Sequence, residues 1–230
     1  MSTDRNPTLW TATAALPRFE PLRGDIRTDV LVIGGGIAGL LCARLLTDAG
    51  ADTLLVEKDR IASGVTARTT AKITAQHGLL YDKLLRRFGA ADYRTMSRGV
   101  DCGFETKDNY VYSCSGRAKL EAELRALDKL GHPAVFAEAL PLPFAVDGAV
   151  CFREQAQFRP LDFLASVSCG LRICEQTKVR ELEGMTAVTV QGRIRAKAII
   201  VATHFPFLNK HGLYFMKLYQ HRSYVCALEN

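Results

Sequence analysis

Asp29-Val30-Leu31-Val32-Ile33-Gly34-Gly35-Gly36-Ile37-Ala38-Gly39-Leu40 is the stretch that decides the fold. Val30 to Ile33 is an unbroken apolar run rich in β-branched residues, the pattern of a strand buried on both faces. Three glycines end it, and the period then turns helical. Ile37, Leu40, Leu41 and Leu45 are expected on one buried face, with Arg44, Thr47 and Asp48 off it. Gly50 suits the helix C-terminus. Thr53-Leu54-Leu55-Val56 is a second apolar strand closed by Glu57, which completes a βαβ unit.

Each part of that unit has a chemical reason. In Gly34-x-Gly36-x-x-Gly39 the first glycine permits a tight turn, and the second leaves no side chain between the backbone and a pyrophosphate. The third lets helix and strand pack closely. The helix N-terminus, at Ile37 and Ala38, offers unpaired N–H groups and a partial positive charge to phosphates. Glu57, 23 residues after Gly34, is placed to accept hydrogen bonds from an adenosine ribose. The acid disfavours a 2′-phosphate, although Lys58 and Arg60 beside it weaken that discrimination. On spacing alone both FAD and NAD fit.

Outward from this unit the pattern is less regular. A short helix is expected from Leu79 to Phe88, a strand over Asn109–Tyr112 and an amphipathic helix over Arg117–Leu130, with Leu120, Leu124 and Leu127 inward. Pro160 suits the first turn of a helix running to Cys169. Strands follow at Leu171–Glu175, Thr177–Leu182, Ala187–Val190, Arg193–Arg195 and Ala198–Ala202, with a hairpin at Gln191-Gly192. Gln220, Arg222 and Tyr224 would share one face of a terminal strand, where an arginine can clamp a substrate carboxylate. Tyr110 and Tyr112 read as sheet packing.

Composition narrows the function. The 230 residues are 48% hydrophobic and 23% charged, which excludes a disordered or fibrous chain. The net charge of +6 is spread without basic runs, against a nucleic-acid partner. No apolar segment is long enough for a membrane span, and residues 1–28 lack a targeting pattern. Seven cysteines without a C-x-x-C pair argue against a metal site or a disulfide framework and for a reducing, cytoplasmic location. Cys169 and Cys174 read as two unrelated core cysteines.

The Asp29–Leu40 motif, with Ala43, Leu46, Gly50 and Glu57, resembles the N-terminal motif of the D-amino-acid-oxidase-like flavoproteins, the family of glycine oxidase and glutamylputrescine-type amine oxidases. Ile61-Ala-Ser-Gly-Val-Thr-Ala-Arg-Thr-Thr-Ala-Lys72 is similar to the loop that runs beside the flavin there, with Thr69-Thr70 where Asn-Gly is commoner. Thr177-Lys178-Val179 resembles the family's strand whose valine backbone meets the adenine. Ala198–Thr203 resembles its strand ending in Ala-Thr-Gly, with His204 in place of the glycine. Leu9-Trp10-Thr11 and Thr-Thr-Ala-Lys are similar to a branch that often carries a Rieske domain.

The resemblance implies an α/β fold: a Rossmann-like FAD-binding domain with a parallel sheet plus an antiparallel-sheet substrate domain, incomplete here. It implies an N-terminal extension over 1–28, FAD-binding segments over 29–77 and 161–205, a substrate domain over 78–160 and the start of a returning sheet over 206–230. It implies FAD held by Gly34, Gly36, Ile37, Ala38, Gly39, Glu57, Lys58, Thr66, Arg68, Thr69, Thr70, Val179, Ala202 and Thr203. The implied activity is oxidation of a C–N bond in a small amine or amino acid, with the electron acceptor left open and no catalytic side chain beyond Gln220, Arg222 and Tyr224. His77 reads as a loop histidine rather than a site of covalent flavin attachment. The family continues past Asn230 with a second glycine-rich segment, so the chain reads as a truncated member. The alternative is a fragment that binds an adenine dinucleotide, FAD or NAD, weakly or not at all and turns nothing over.

Overall fold

The computed structural model describes residues 8–74, 76, 103–205, 207 and 213–218. The expected helix over Leu79–Phe88, His77 and the Gln220–Tyr224 strand lie outside them. The chain divides into two units, Met1–Arg68 with Leu164–Asn230, and Thr69–Phe163. No helix among the described residues is long and apolar enough to cross a membrane.

The first unit is built on a six-stranded sheet. Its strands are β1 (Ile26–Ile33), β2 (Thr53–Val56), β7 (Ile173–Cys174), β8 (Glu181–Glu183), β9 (Thr186–Val188) and β10 (Arg193–Val201), in the order β7-β2-β1-β10-β9-β8. The first four in that order run parallel, and β9 and β8 turn back antiparallel. The expected parallel set is therefore present, and the hairpin at Gln191-Gly192 joins β9 to β10. Leu31 sits at the centre, in register with Leu54 on one side and Ile199 on the other. Leu22, Leu31, Ile33, Leu54, Val56, Val179, Ala187, Ile194 and Ala196 form one apolar core.

Three details differ from the sequence reading. The strand expected to start at Val30 starts at Ile26, because it pairs with β10 from Ile26 opposite Ile194 onwards. At Asp29 and Val30, which both donate to the Asp52 carbonyl at 3.0 Å, the inward parity switches without a change of register, so Ile26 and Leu31, an odd number of residues apart, pack on the same core. A strict alternation search is blind to such a strand. Arg193–Arg195 and Ala198–Ala202, expected as two strands, are one continuous β10. Finally, helix α2 (Ile37–Asp48) buries Gly39, Leu40 and Ala43, while Ile37 and Leu45 are exposed. Gly39 and Ala43 stand four residues apart on one face, and the close seat of Gly39 selects that face over the bulkier leucine stripe.

Gly34 has φ +114, and a Cβ on it would lie 2.5 Å from the Ala202 carbonyl oxygen, while a Cβ on Gly39 would overlap the Gly34 carbonyl oxygen. Strand β1, helix α2 and the end of β10 thus meet where no side chain fits. At the end of β10, Phe205 donates its N–H to Thr203 O across His204, which holds φ +62. This is the strained form of a three-residue turn, at the position where the resembling family has glycine.

The second unit pairs β4 (Glu105–Ser113) antiparallel with β6 (Gly148–Gln157), whose other edge takes β3 (Lys72–Ile73) and β5 (Val135–Ala137). The amphipathic helix α3 (Arg117–Lys129) packs Leu120 and Leu127 against Val150 and Phe152 of β6, as its spacing predicts. Gln76 is buried, donating to Val150 O at 2.9 Å and accepting from Asn109 Nδ2 at 2.7 Å. Tyr110 and Tyr112 lie on the more exposed side of β4 at 40% and 46%, Tyr112 with its ring centroid 5.9 Å from that of Phe144, while Asn109 and Val111 turn inward. Helix α4 (Pro160–Ser168) carries the chain back to the first unit.

Two stability outcomes follow from the glycine junction. Gly39→Ala is expected to lower stability by about 1–3 kcal/mol, a fall of several degrees in Tm, because the methyl has nowhere to go. His204→Gly is expected to raise it by up to ~1 kcal/mol by removing left-handed strain. Thermal and urea unfolding check both, and a Gly39→Ala protein as stable as the parent would refute the close approach.

Candidate functional site

The site sits at the C-terminal ends of the parallel strands, where the loop after β1 enters helix α2. Gly36 is the N-cap of α2, with extended backbone at φ −77 and ψ −178, a conformation open to any residue. A Cβ there would meet nothing nearer than Thr66 Oγ1 at 3.5 Å. Gly34 and Gly39 are therefore demanded by the protein's own packing, and Gly36 is not. The space beside Gly36 is a cradle that a side chain would fill and that a phosphate group fits.

Glu57 follows directly on β2. Its Oε2 accepts the Gly35 N–H at 2.7 Å and its Oε1 accepts the Asp59 N–H at 2.9 Å. A carboxylate has about four acceptor positions, so two backbone bonds fix its orientation and leave capacity for a ribose diol. The flanking cations are occupied elsewhere. Lys58 pairs with Asp59 at 3.4 Å, and Arg60 lies 3.3 Å from Glu175 and donates to the Pro17 carbonyl at 3.0 Å. Arg60 is thus engaged by Glu175 and the N-terminal segment, while the Lys58–Asp59 pair is exposed.

The loop after β2 runs back over the glycine turn. Ala62, at φ +55, donates its N–H to the Gly35 carbonyl at 2.7 Å. A 3-10 turn over Val65–Arg68 then brings Thr66 Oγ1 to accept the Ile37 N–H at 3.2 Å. Ala38 is exposed at the same helix end. Gly34, Gly36, Ile37, Ala38, Gly39, Glu57, Thr66 and Ala202 are in this way gathered around one turn.

Others of the expected residues stand apart from it. Arg68 is exposed and donates to Ser63 O at 3.2 Å. Thr69 and Thr70 open the second unit. Thr203 donates its hydroxyl to Phe205 O at 3.0 Å. Val179 is buried in the apolar core, and the segment around it is irregular rather than the expected strand. The reason is a turn at Gln176, with φ +50, whose neighbour Thr177 donates its N–H to Glu57 O at 2.8 Å. Gln220, Arg222 and Tyr224 lie outside the described residues.

Two groups went unread in the sequence. Gly35, counted only as a spacer, holds Glu57 through its N–H. Glu175, taken only as the end of a strand, is buried and gathers three donors. An acid just past the end of a parallel strand, the position Glu57 also occupies, is the signal that was available. Cys174 and Cys169 are free thiols and not both core residues as expected, since Cys169 is exposed and Cys174 half-buried; burial raises the Cys174 pKa and Arg172 lowers it in part.

Comparison with known proteins places this geometry. YhfW of Bacillus subtilis (strain 168), a protein named for a Rieske 2Fe-2S iron-sulfur centre, is 35% identical over 249 residues, covering 96% of this chain and 49% of that protein. Gamma-glutamylputrescine oxidoreductase of Escherichia coli (strain K12) is 25% identical over 216 residues, covering 80% of this chain and 50% of that protein. The chain therefore spans about half the length of the curated relatives it matches. Among solved structures, L-amino acid deaminase from Proteus myxofaciens has a similar fold, with a TM-score of 0.63 at 18% identity over 83% of this chain and 48% of that one. Glycine oxidase from Geobacillus kaustophilus gives a TM-score of 0.61 at 20% identity over 77% and 55% of the two chains. With the family's model matching residues 29–230, this chain belongs to the FAD dependent oxidoreductase (DAO) family.

Proposed function

We propose that this chain holds FAD at the Gly34–Gly39 turn and forms part of an oxidoreductase acting on the C–N bond of a small amine or amino acid. The observation that carries the reading is Gly36, whose missing side chain the fold does not require and a pyrophosphate does. The N–H groups at the start of α2 would face the phosphates, stabilised by the helix dipole. Glu57 would accept from the ribose hydroxyls, already oriented by the Gly35 and Asp59 N–H groups. Val179 and Ala202–Thr203 are proposed at the adenine and dinucleotide edges, and Arg68, Thr69 and Thr70 beside the flavin.

FAD, when bound, supplies the acceptor for the hydride that leaves the substrate carbon. The protein's part is to hold the dinucleotide and orient it, which needs no catalytic triad. The unit Thr69–Phe163 is proposed as the substrate side, and the compartment as cytoplasmic. The names of the amine- and amino-acid-directed relatives support this substrate class, as does the family membership.

Gly36→Ala is expected to lower stability by no more than about 1 kcal/mol, the N-cap preference for glycine over alanine, and to weaken FAD binding at least tenfold. Flavin fluorescence titration beside thermal melts checks this. Equal losses of stability and affinity would show that Gly36 serves the fold. Glu57→Ala is expected to weaken FAD by roughly tenfold or more, since it removes charge-assisted bonds. A colourless protein that binds NAD tightly would overturn the choice of FAD. Anaerobic bleaching of the bound flavin across a panel of amines and amino acids tests the reaction, and a flavoprotein that none of them reduces would remove the C–N assignment.

A further inference from the structure

Glu175 is a carboxylate buried to 2% exposure that the cofactor reading above does not use. It sits directly after β7. Its Oε1 accepts the Ile61 N–H at 2.8 Å with Arg60 Nε 3.3 Å away, and its Oε2 accepts the Phe19 N–H at 3.2 Å. Two stretches of chain, at Phe19 and at Arg60–Ile61, remote in sequence from each other and from Glu175, thus converge on its side chain. A buried carboxylate is stable only when its charge and lone pairs are matched in this way, so losing one partner exposes the cost of the others.

The convergence has a direction. Ile61 and Ala62 are buried at 0% and 2% and begin the loop that ends in Thr66. The far end of that loop is tied as well, because Thr8 Oγ1 donates to Ala67 O at 2.7 Å. Between Thr8 and Phe19 the N-terminal segment also accepts from Arg60, at Leu16 O and Pro17 O. It then enters the core at Leu22, whose N–H bonds Thr177 Oγ1 at 3.0 Å. Residues 8–22 are therefore a strap laid along the 59–68 loop. At the end of this chain of contacts stands the Thr66 hydroxyl, which accepts the Ile37 N–H and has no acceptor for its own hydrogen among the described residues.

We propose that Glu175 is a positioning residue of the dinucleotide site. Through Ile61, Arg60 and the Thr8–Leu22 strap it fixes the 59–68 loop so that the Thr66 hydroxyl stands at the helix N-terminus, ready to donate to a phosphate oxygen. The inference rests on the FAD reading of the Gly34–Gly39 turn. It gives the residues before β1 a binding role, as part of the wall that holds the loop.

The test uses the full chain in two measurements. Amide hydrogen exchange without ligand compares the parent with Glu175→Gln, Arg60→Met and Thr8→Val. Faster exchange at Ile61, Ala62 and Ala67, with the β1, β2 and β10 amides unchanged, is the expected result. FAD titration is then run as a double-mutant cycle with Thr66→Val. Glu175→Gln is expected to weaken FAD about tenfold, as loss of a ligand-orienting partner commonly does, and Thr8→Val by roughly threefold. Both losses should shrink or vanish in the Thr66→Val background. A residue that merely stabilises the fold would give the same loss in both backgrounds, and that additivity would overturn the inference. So would unchanged exchange in the loop, or unchanged affinity in all three single variants. If Glu175→Gln does not fold, Arg60→Met and Thr8→Val decide by the same cycle. A parent chain with no affinity for FAD would overturn the FAD reading, and this inference with it. A parent that binds while the cycle is additive overturns this inference alone.

Discussion

The first unit depends on one close approach of backbones. Where β1 gives way to α2, the Gly34 carbonyl lies under Gly39, and the Ala202 carbonyl at the end of β10 lies against Gly34. Any side chain at either glycine would push helix, central strand and neighbouring strand apart. Because they are not pushed apart, Leu31 and Ile33 stay in register with both β2 and β10, and the core around Leu54, Val56 and Ile194 closes. Burial of such leucine and isoleucine side chains contributes about 1.5–3 kcal/mol each, so the seat of Gly39 governs a much larger energy than its own contacts.

The same seat produces the binding geometry. Bringing the start of α2 to the strand ends places its first turn, with the Ile37 N–H on the Thr66 hydroxyl, beside Gly36, where a Cβ would meet nothing nearer than 3.5 Å. The Glu57 carboxylate is drawn to this turn by the Gly35 N–H, and its own backbone is held on the far side by Cys174 O and the Thr177 N–H. The acid proposed to meet the ribose is thus oriented by the turn proposed to meet the pyrophosphate. Stability and recognition share atoms here, which is why only Gly36, of the three motif glycines, separates them.

Charge around the turn is handled by pairing. Lys58 is drawn to Asp59, and Arg60 to Glu175 and two backbone carbonyls. Left unpaired, those cations would compete for Glu57 and invite a 2′-phosphate. The Lys58–Asp59 pair is exposed and of small energetic weight, as are Lys197 against Asp29, which raises the lysine pKa, and Arg117 against Glu138, which lowers that of the acid.

Much of this was legible in the sequence because its signals are local. A continuous apolar run, a glycine spacing, a helical period and a terminal acid each occupy a few neighbouring residues, and together they determined the βαβ unit, the parallel strands and the turn at Gly34–Gly39. The helix over Arg117–Lys129 was legible for the same reason. What only the tertiary structure decided involves partners far apart in the chain. Asp29 and Val30 share the Asp52 carbonyl, and at that point the strand reverses the inward parity of simple alternation. The buried face of α2 was chosen by the fit of Gly39 against Gly34 rather than by the leucine stripe, since close packing outweighs hydrophobic period where backbones touch. Glu175 joins Phe19, Arg60 and Ile61 across more than a hundred residues, and no pattern within a short window encodes a hydrogen bond of that separation.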